Sequence, residues 1–177
     1  MASLQLPETR SSRLIDPFIA RVGEWVSWLW LVLLLVICVN VTLRYAFGEG
    51  RIELEEWQWH IYSVGFLLGM SYAFQSDAHI RVDVVSERLA PRHRAWVELY
   101  GILLGLLPFI ALVLFYGVPF VMQSLALGEV SQAPGGLSHR WLIKAVLPLG
   151  FGLLLLAAWS RLTRVWHFLF LSEGAKA

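Results

Sequence analysis

Four long apolar stretches, separated by short polar connections, dominate the chain. They run from about 25 to 43, 57 to 74, 99 to 122 and 141 to 160, and none of them contains an aspartate or a glutamate. A helix needs about 20 apolar residues to cross the hydrocarbon core of a bilayer. The pattern therefore predicts an all-α membrane protein with four transmembrane helices in a single domain, residues 1–177, of which the second span is shorter and less apolar.

The most polar connection lies between the second and third spans, over residues 75–94. A proline at position 91 would interrupt any helix that starts near Asp77. Within this connection the apolar residues fall near one helical face, namely Ile80, Val84, Val85 and Leu89. This spacing predicts a short amphipathic helix lying at the membrane interface.

Glycines also recur at a spacing that suits close contact between helices. Gly65 and Gly69 lie four residues apart in the second span, and Gly101 and Gly105 do so in the third. Small residues at this spacing let helix backbones approach one another in a membrane. Both pairs are predicted packing faces, although the spacing names no partner.

Composition supports a membrane protein, and the distribution of charge predicts its orientation. Apolar residues make up 58% of the chain and charged residues 15%, whereas soluble proteins have about 25% charged residues. Lysine and arginine number three before the first span, four between the second and third, and three after the fourth. The other two connections carry Arg51 and Arg140, and Arg44 and Lys144, at span ends, add only to this poorer side. The positive-inside rule therefore places both termini in the cytoplasm.

Residues that could carry chemistry are scarce. The single cysteine, Cys38, has no partner for a disulfide or a cysteine metal site. No nucleophile with an adjacent base, phosphate-binding glycine loop or basic aromatic nucleic-acid surface is recognisable. A transporter acting alone would need polar groups near the bilayer midplane, and the spans do not offer them. We expect no enzyme activity, no bound cofactor or metal, no nucleic-acid partner and no cleaved signal peptide.

The five histidines leave one alternative open, a haem b-binding membrane anchor subunit of a redox complex. Only His60 falls inside a predicted span, and the other four lie in connections or at helix ends. Interfacial histidines need no ligand role. A Soret band in the purified chain would favour this alternative.

Several segments resemble the small membrane subunit of tripartite ATP-independent periplasmic (TRAP) transporters, the DctQ family. They are NVTLRYAFGEG at 40–50, the acidic pair at 55–56, FLLGMSYAF at 66–74 and HIRVD at 79–83. A later segment, GGLSHRWLIKAVLPLGF at 135–151, is similar to one branch of the family, with Ser138 where a proline is common.

The resemblance implies a non-catalytic small permease subunit in the bacterial inner membrane, surrounded by lipid. Its partners would be a large membrane subunit (DctM-like) and a periplasmic substrate-binding protein (DctP-like) that delivers an organic acid. Substrate and sodium would bind the large subunit, which moves by an elevator mechanism, and this chain would enlarge the fixed scaffold.

Positions matching the family at the predicted outer side are Arg44, Tyr45, Glu55 and Glu56. We expect Arg44 and Tyr45 to set the outer membrane boundary. Glu55 and Glu56 are candidates for contacts with the large subunit or the binding protein. An equally acceptable role for these carboxylates is local, because acidic residues complement the positive end of a helix dipole.

The remaining family positions lie on both sides of the membrane. His79, Arg81 and Asp83 are expected to fix the cytoplasmic connection. Trp141 and Lys144 match the family at the start of the fourth helix, where an indole ring favours the headgroup region. Capping or snorkelling could account for any of these residues.

Overall fold

The computed structural model describes residues 6–78 and 89–171, and this part of the chain is helical with no strand. Four long helices follow one another. We label them α1, α2, α3 and α4, and they comprise Arg10–Ala46, Ile52–Gln75, Pro91–Ala126 and Arg140–Leu171. The all-helical prediction is confirmed for the described residues.

Three of the four helices are long and apolar enough to cross a membrane. These are α1, α3 and α4, with 37, 36 and 32 residues. The prediction of a spanning helix is confirmed for these three by length and composition. Helix α2 has 24 residues, enough for about 36 Å. Its membrane crossing, which would make the fourth span, stays a prediction.

Helix α1 begins well before the apolar stretch that predicted it. A capping box starts it: the Thr9 hydroxyl accepts a hydrogen bond from the Ser12 N–H at 3.2 Å, and the Ser12 hydroxyl accepts one from the Thr9 N–H at 2.9 Å. These bonds satisfy donors that a helix start would otherwise leave open. Pro17 is accommodated within the helix. Residues 10–24 therefore extend the first span by about four turns.

Helix α3 contains a widened turn in its first half. Residues Gly101–Leu106 are π-helical, and the Leu107 N–H donates to the carbonyl of Ile102. Pro108 follows directly. A proline has no N–H and its ring clashes with the carbonyl four residues earlier, so a wider turn before it keeps the helix continuous.

Helix α4 is the centre of the packing, since it contacts α1, α2 and α3, and α1 also packs along α2. The buried apolar residues form two groups. One joins the chain's N-terminal segment to the ends of α3 and α4, with Leu6, Ala95, Leu99, Val165 and Leu169. The other lies further along α3 and α4, with Ile102, Ile110, Phe151, Leu154 and Ala158.

The predicted glycine packing faces are only partly occupied. A Cβ added at Gly65 would lie 3.4 Å from the Trp30 ring of α1. The other three glycines of the two pairs have no neighbouring atom within 4 Å of such a Cβ in the described structure: Gly69, Gly101 and Gly105. Gly65 therefore contributes to the α1–α2 contact.

Large apolar side chains cover the outer surfaces of α1 and α3. Examples are Trp25, Leu35, Leu104 and Phe115, exposed at 78%, 64%, 75% and 72%. Soluble proteins rarely expose contiguous apolar patches on this scale. These surfaces suit the hydrocarbon of a bilayer.

The predicted amphipathic helix between the second and third spans falls largely on residues 79–88, outside the described residues. Before this segment α2 ends at Gln75, and after it α3 begins at Pro91. Proline is favoured in the first turn of a helix because its missing N–H would be unsatisfied there anyway.

Candidate functional site

Charged side chains gather at the two ends of the helices. Using the orientation predicted from the sequence only for labels, we call one the outer end, formed by residues 44–56 and 127–144, and the other the inner end, formed by residues 6–16, 77, 98 and 160–167. Contacts between distant parts of the sequence assemble each end. The predicted site residues that the structure describes all lie at the outer end.

At the outer end, Arg44 of α1 forms an ion pair with Glu55 of α2, with a guanidinium nitrogen 3.0 Å from a carboxylate oxygen. Both side chains are about half exposed. The adjacent Tyr45 is 83% exposed. The pair joins the end of α1 to the start of α2, and an exposed pair of this kind stabilises by at most about 1 kcal/mol.

Glu56 contacts two residues of the connection between α3 and α4. Its carboxylate accepts hydrogen bonds from the Ser131 hydroxyl and, at 2.5 Å, from the Leu137 N–H. The Ser131 N–H in turn donates to the Leu137 carbonyl at 3.0 Å. The Glu56 carboxylate thus contacts both the earlier and the later part of the connection between α3 and α4.

Lys144 lies one turn inside α4 and reaches back to the same connection. Its ammonium group forms an ion pair with Glu129 and lies 4.1 Å from the centre of the Phe120 ring. The Ser124 hydroxyl donates to Glu129 at 2.7 Å. The hydrogen bonds from Lys144 and Ser124 lower the pKa of Glu129 from its ordinary value.

Trp141 occupies the first turn of α4 and is half-buried. The helix is preceded by His139, whose φ of 63° is in the left-handed region. The Arg140 N–H donates to the Glu129 carbonyl at 3.1 Å, so the start of α4 is tied to the end of α3.

At the inner end, Arg161 of α4 is only 8% exposed. Its guanidinium group forms ion pairs with Glu98 of α3 and, at 3.5 Å, with Asp77 just after α2. A buried charge is tolerated only when it is paired and hydrogen-bonded. Arg161 therefore joins three helices at one point.

A neighbouring group ties the start of α1 to α4. Asp16 accepts a hydrogen bond from the Ser160 hydroxyl at 2.5 Å and pairs with Arg164 at 3.4 Å. The Arg164 guanidinium also donates to the Leu6 carbonyl at 3.2 Å. These contacts, with the buried apolar residues beside them, anchor the segment that precedes the first span.

The sequence did not predict the contacts of Arg161 and Asp16 at the inner end. Three other residues were predicted to fix the cytoplasmic connection. His79, Arg81 and Asp83 lie outside the described residues, so their role stays a prediction. A signal for the inner group does exist in the sequence. Glu98 and Arg161 are single charges directly adjoining long apolar stretches, where an unpaired charge would be costly.

The described residues include no group of three or more histidine, cysteine, aspartate or glutamate side chains placed to hold a metal ion. His60 is the histidine inside a predicted span. Its Nδ1 lies 2.6 Å from the carbonyl oxygen of Glu56, one turn earlier, the geometry of a ring N–H donating to the backbone. This ring nitrogen therefore has a local partner.

Most of the chain matches a protein family. The family model described as the DctQ component of tripartite ATP-independent periplasmic transporters matches residues 33–168. The chain belongs to the DctQ family. No curated protein and no solved structure matches it.

Membership confirms the family that the motifs predicted and identifies a small permease component of a TRAP transporter. Together with the three long apolar helices it makes the chain a multi-pass membrane protein. DctQ components act with a large membrane subunit and a periplasmic binding protein, which gives this chain its general class of partner. The match includes Glu55 and Glu56 of α2 and all of the outer end.

Proposed function

We propose that this DctQ chain is the fixed, non-catalytic scaffold of a sodium-coupled TRAP transporter for an organic acid. The observation that carries the proposal is the distribution of polar groups. In the described structure the ion pairs lie at the inner and outer ends, and the middles of the helices are uncharged and mostly apolar. A chain built in this way holds a shape without offering a binding site for sodium or an acid at the midplane.

The few polar side chains in the middle have local roles available to them. The Ser71 hydroxyl donates to the Leu68 carbonyl at 2.7 Å within its own helix, and the Ser63 hydroxyl does the same to Trp59. Serine commonly satisfies itself in this way in membrane helices. Substrate and coupling ions would then bind the large subunit, as the family resemblance implies.

A scaffold must resist the force of a moving partner, and the ends of this chain are suited to that. Arg161 joins α2, α3 and α4 at the inner end, while Glu56 fixes the α3–α4 connection to α2 at the outer end. An elevator mechanism needs one part to stay fixed in the bilayer while another moves. Pairing at both ends supports that role.

The proposed orientation has both termini in the cytoplasm of a bacterial inner membrane, with α2 as the fourth span. The distribution of lysine and arginine supports it. The connection between α3 and α4 would then face the periplasm. Single cysteines at Ser11 and Ser138, in a Cys38→Ser background, should report opposite sides to a membrane-impermeant maleimide.

Assembly is tested by co-expressing the chain with the large membrane subunit encoded beside it. A one-to-one complex should elute in size-exclusion chromatography and give one mass in native mass spectrometry. The exposed pair variant Arg51→Gln should assemble like the parent chain, as a control for surface change. Separate elution of the two chains in mild detergent would contradict the scaffold role.

A further inference from the structure

The part of α1 at the inner end, residues 10–26, presents two different faces. Four of its residues are buried toward the other helices: Ser12, Ile19, Gly23 and Val26. At 100° per residue, the opposite face carries exposed arginines and exposed apolar side chains. Its members are Arg10, Arg13, Leu14, Phe18, Arg21 and Trp25. We call these six residues the basic face of α1.

The charges of the basic face are only partly compensated. Arg10 and Arg21 are exposed and form no ion pair with the described residues. Arg13 pairs at 3.2 Å with Glu8, and both side chains of that pair are about 70% exposed. Asp16 lies on the side of α1 that faces α4, where it contacts Ser160 and Arg164. Glu24 is exposed on the same face, three residues from Arg21, so three arginines stand against Glu24 and Glu8 and the face keeps a net positive charge.

The apolar members of the basic face are at least half exposed, and two of them, Leu14 and Phe18, precede the predicted span. Leu14 is 79% exposed, Phe18 50% and Trp25 78%. Exposed aromatic and aliphatic side chains between arginines suit the membrane interface, where apolar parts are buried at the boundary between headgroups and acyl chains and cationic groups stay among the headgroups.

The length of α1 brings this face to the headgroups. Its 37 residues span about 55 Å, whereas a bilayer with its headgroup regions measures about 40–45 Å. With Ala46 at the outer surface, the inner headgroup region ends near Phe18, and a tilt of about 30° extends it nearly to Arg10. Arg21, one turn from Trp25, lies within that region even without tilt.

We propose that the basic face of α1 binds the phosphate headgroups of anionic phospholipid in the inner leaflet. Arg21 contacts a phosphate directly, Phe18 and Trp25 pack against the glycerol and upper acyl chain, and Arg10 and Arg13 attract further anionic headgroups. The site rests on the proposed orientation of the DctQ chain. Residues 10–32 precede the segment that the family model matches.

Anionic lipid is the occupant that the chemistry favours. The face is continuous with the exposed apolar surface of the membrane-spanning part of the same helix, so its surroundings are lipid on one side. Each arginine near an anionic surface strengthens binding about fivefold. The competing occupant, the large subunit, is distinguished by the experiment.

The test uses the purified complex with the large subunit in native mass spectrometry, titrated with phosphatidylglycerol or phosphatidylcholine. The parent complex should retain phosphatidylglycerol in preference to phosphatidylcholine. Arg21→Gln should lower that preference about fivefold, and the triple change of Arg10, Arg13 and Arg21 to glutamine should remove it. The triple change to lysine keeps the charge and should retain most of the preference. Arg51→Gln, an exposed arginine at the outer end, should leave it unchanged.

Two results would overturn the proposal. An unchanged preference in the triple glutamine variant would show that the lipids bind elsewhere. Loss of the large subunit from that variant would show that the basic face contacts protein. The same spectra show whether the two chains remain bound to each other. A loss of lipid preference is therefore distinguished from a loss of the complex.

Discussion

Gly150 of α4 lies directly against the backbone of α2, where a Cβ added to it would be 2.7 Å from the carbonyl oxygen of Leu67. A backbone oxygen cannot move aside as a flexible side chain can. The two helices can therefore keep this separation only while position 150 has no side chain. Contacts of this kind are characteristic of helix packing in membranes. Lipid provides no hydrophobic driving force between helices, and small residues let the backbones approach closely enough for van der Waals packing.

The variant Gly150→Ala should consequently destabilise the protein by about 1–3 kcal/mol, the usual effect of forcing an extra group into a packed interface. The measurement is the thermal unfolding midpoint in a mild detergent. Gly152→Ala is the matched control, because a Cβ there has nothing within 4 Å in the described structure. Equal midpoints for the two variants would contradict the close contact.

A second prediction concerns the buried Arg161. The variant Arg161→Met removes the cation that Glu98 and Asp77 share, and breaking a buried ion pair in this way costs about 3–5 kcal/mol. Arg13→Met removes a pair that is about 70% exposed and should cost less than about 1 kcal/mol. Chemical denaturation of the purified chain compares them.

The double variant Arg161→Met with Glu98→Gln provides the control for Arg161. Neutralising one of the two carboxylates should recover part of the lost stability. A double variant as unstable as the sum of the single changes would show that the two residues act independently.

Glu56 yields a third prediction, at the outer end. The variant Glu56→Ala removes the acceptor of the Leu137 N–H and the Ser131 hydroxyl, so the α3–α4 connection should open more often. Hydrogen exchange should become severalfold faster at the Leu137 amide. Glu49→Ala, which removes an exposed carboxylate paired with Arg51, is the control. Unchanged exchange at Leu137 would mean that Glu56 does not hold the connection.

Glu129 gives a pH dependence with a defined sign. Its hydrogen bonds with Lys144 and Ser124 hold its pKa below the ordinary value of 4.5. A carboxylate with a lowered folded-state pKa stabilises the fold above that ordinary value, and the contribution is lost as the pH falls through the folded-state value.

The unfolding midpoint of the parent chain should therefore fall between about pH 5 and pH 3 by more than that of Glu129→Gln. Glu49→Gln should retain the parent's decline. If the unfolding midpoints of the parent and of Glu129→Gln fell equally with pH, the Glu129 carboxylate would not stabilise the fold in this way.

The apolar stretches predicted the helices well because burial in lipid requires long, uncharged segments, and α1, α3 and α4 follow directly from that requirement. The ends of the helices were less predictable. The Thr9–Ser12 capping box extends α1 to Arg10 by a local signal that hydropathy does not detect. Helix α3 likewise starts at Pro91, before the apolar stretch begins.

The pairing of charges could not be predicted from the sequence. Glu56 contacts residues 75 and 81 positions away, and Arg161 contacts Asp77 across 84 positions. Such contacts depend on how the helices pack, and a single sequence does not fix that arrangement. The sequence did identify the acidic start of α2 as notable, and the structure adds that Glu55 and Glu56 each have a partner within the chain.

The central claim is that this DctQ chain is an indispensable scaffold without a transport site of its own. The most direct test measures sodium-dependent uptake of an organic acid into proteoliposomes containing the large subunit and the binding protein, with and without this chain. We predict uptake only when the chain is present, and none when the chain replaces the large subunit. Full uptake by the large subunit without this chain would contradict the account.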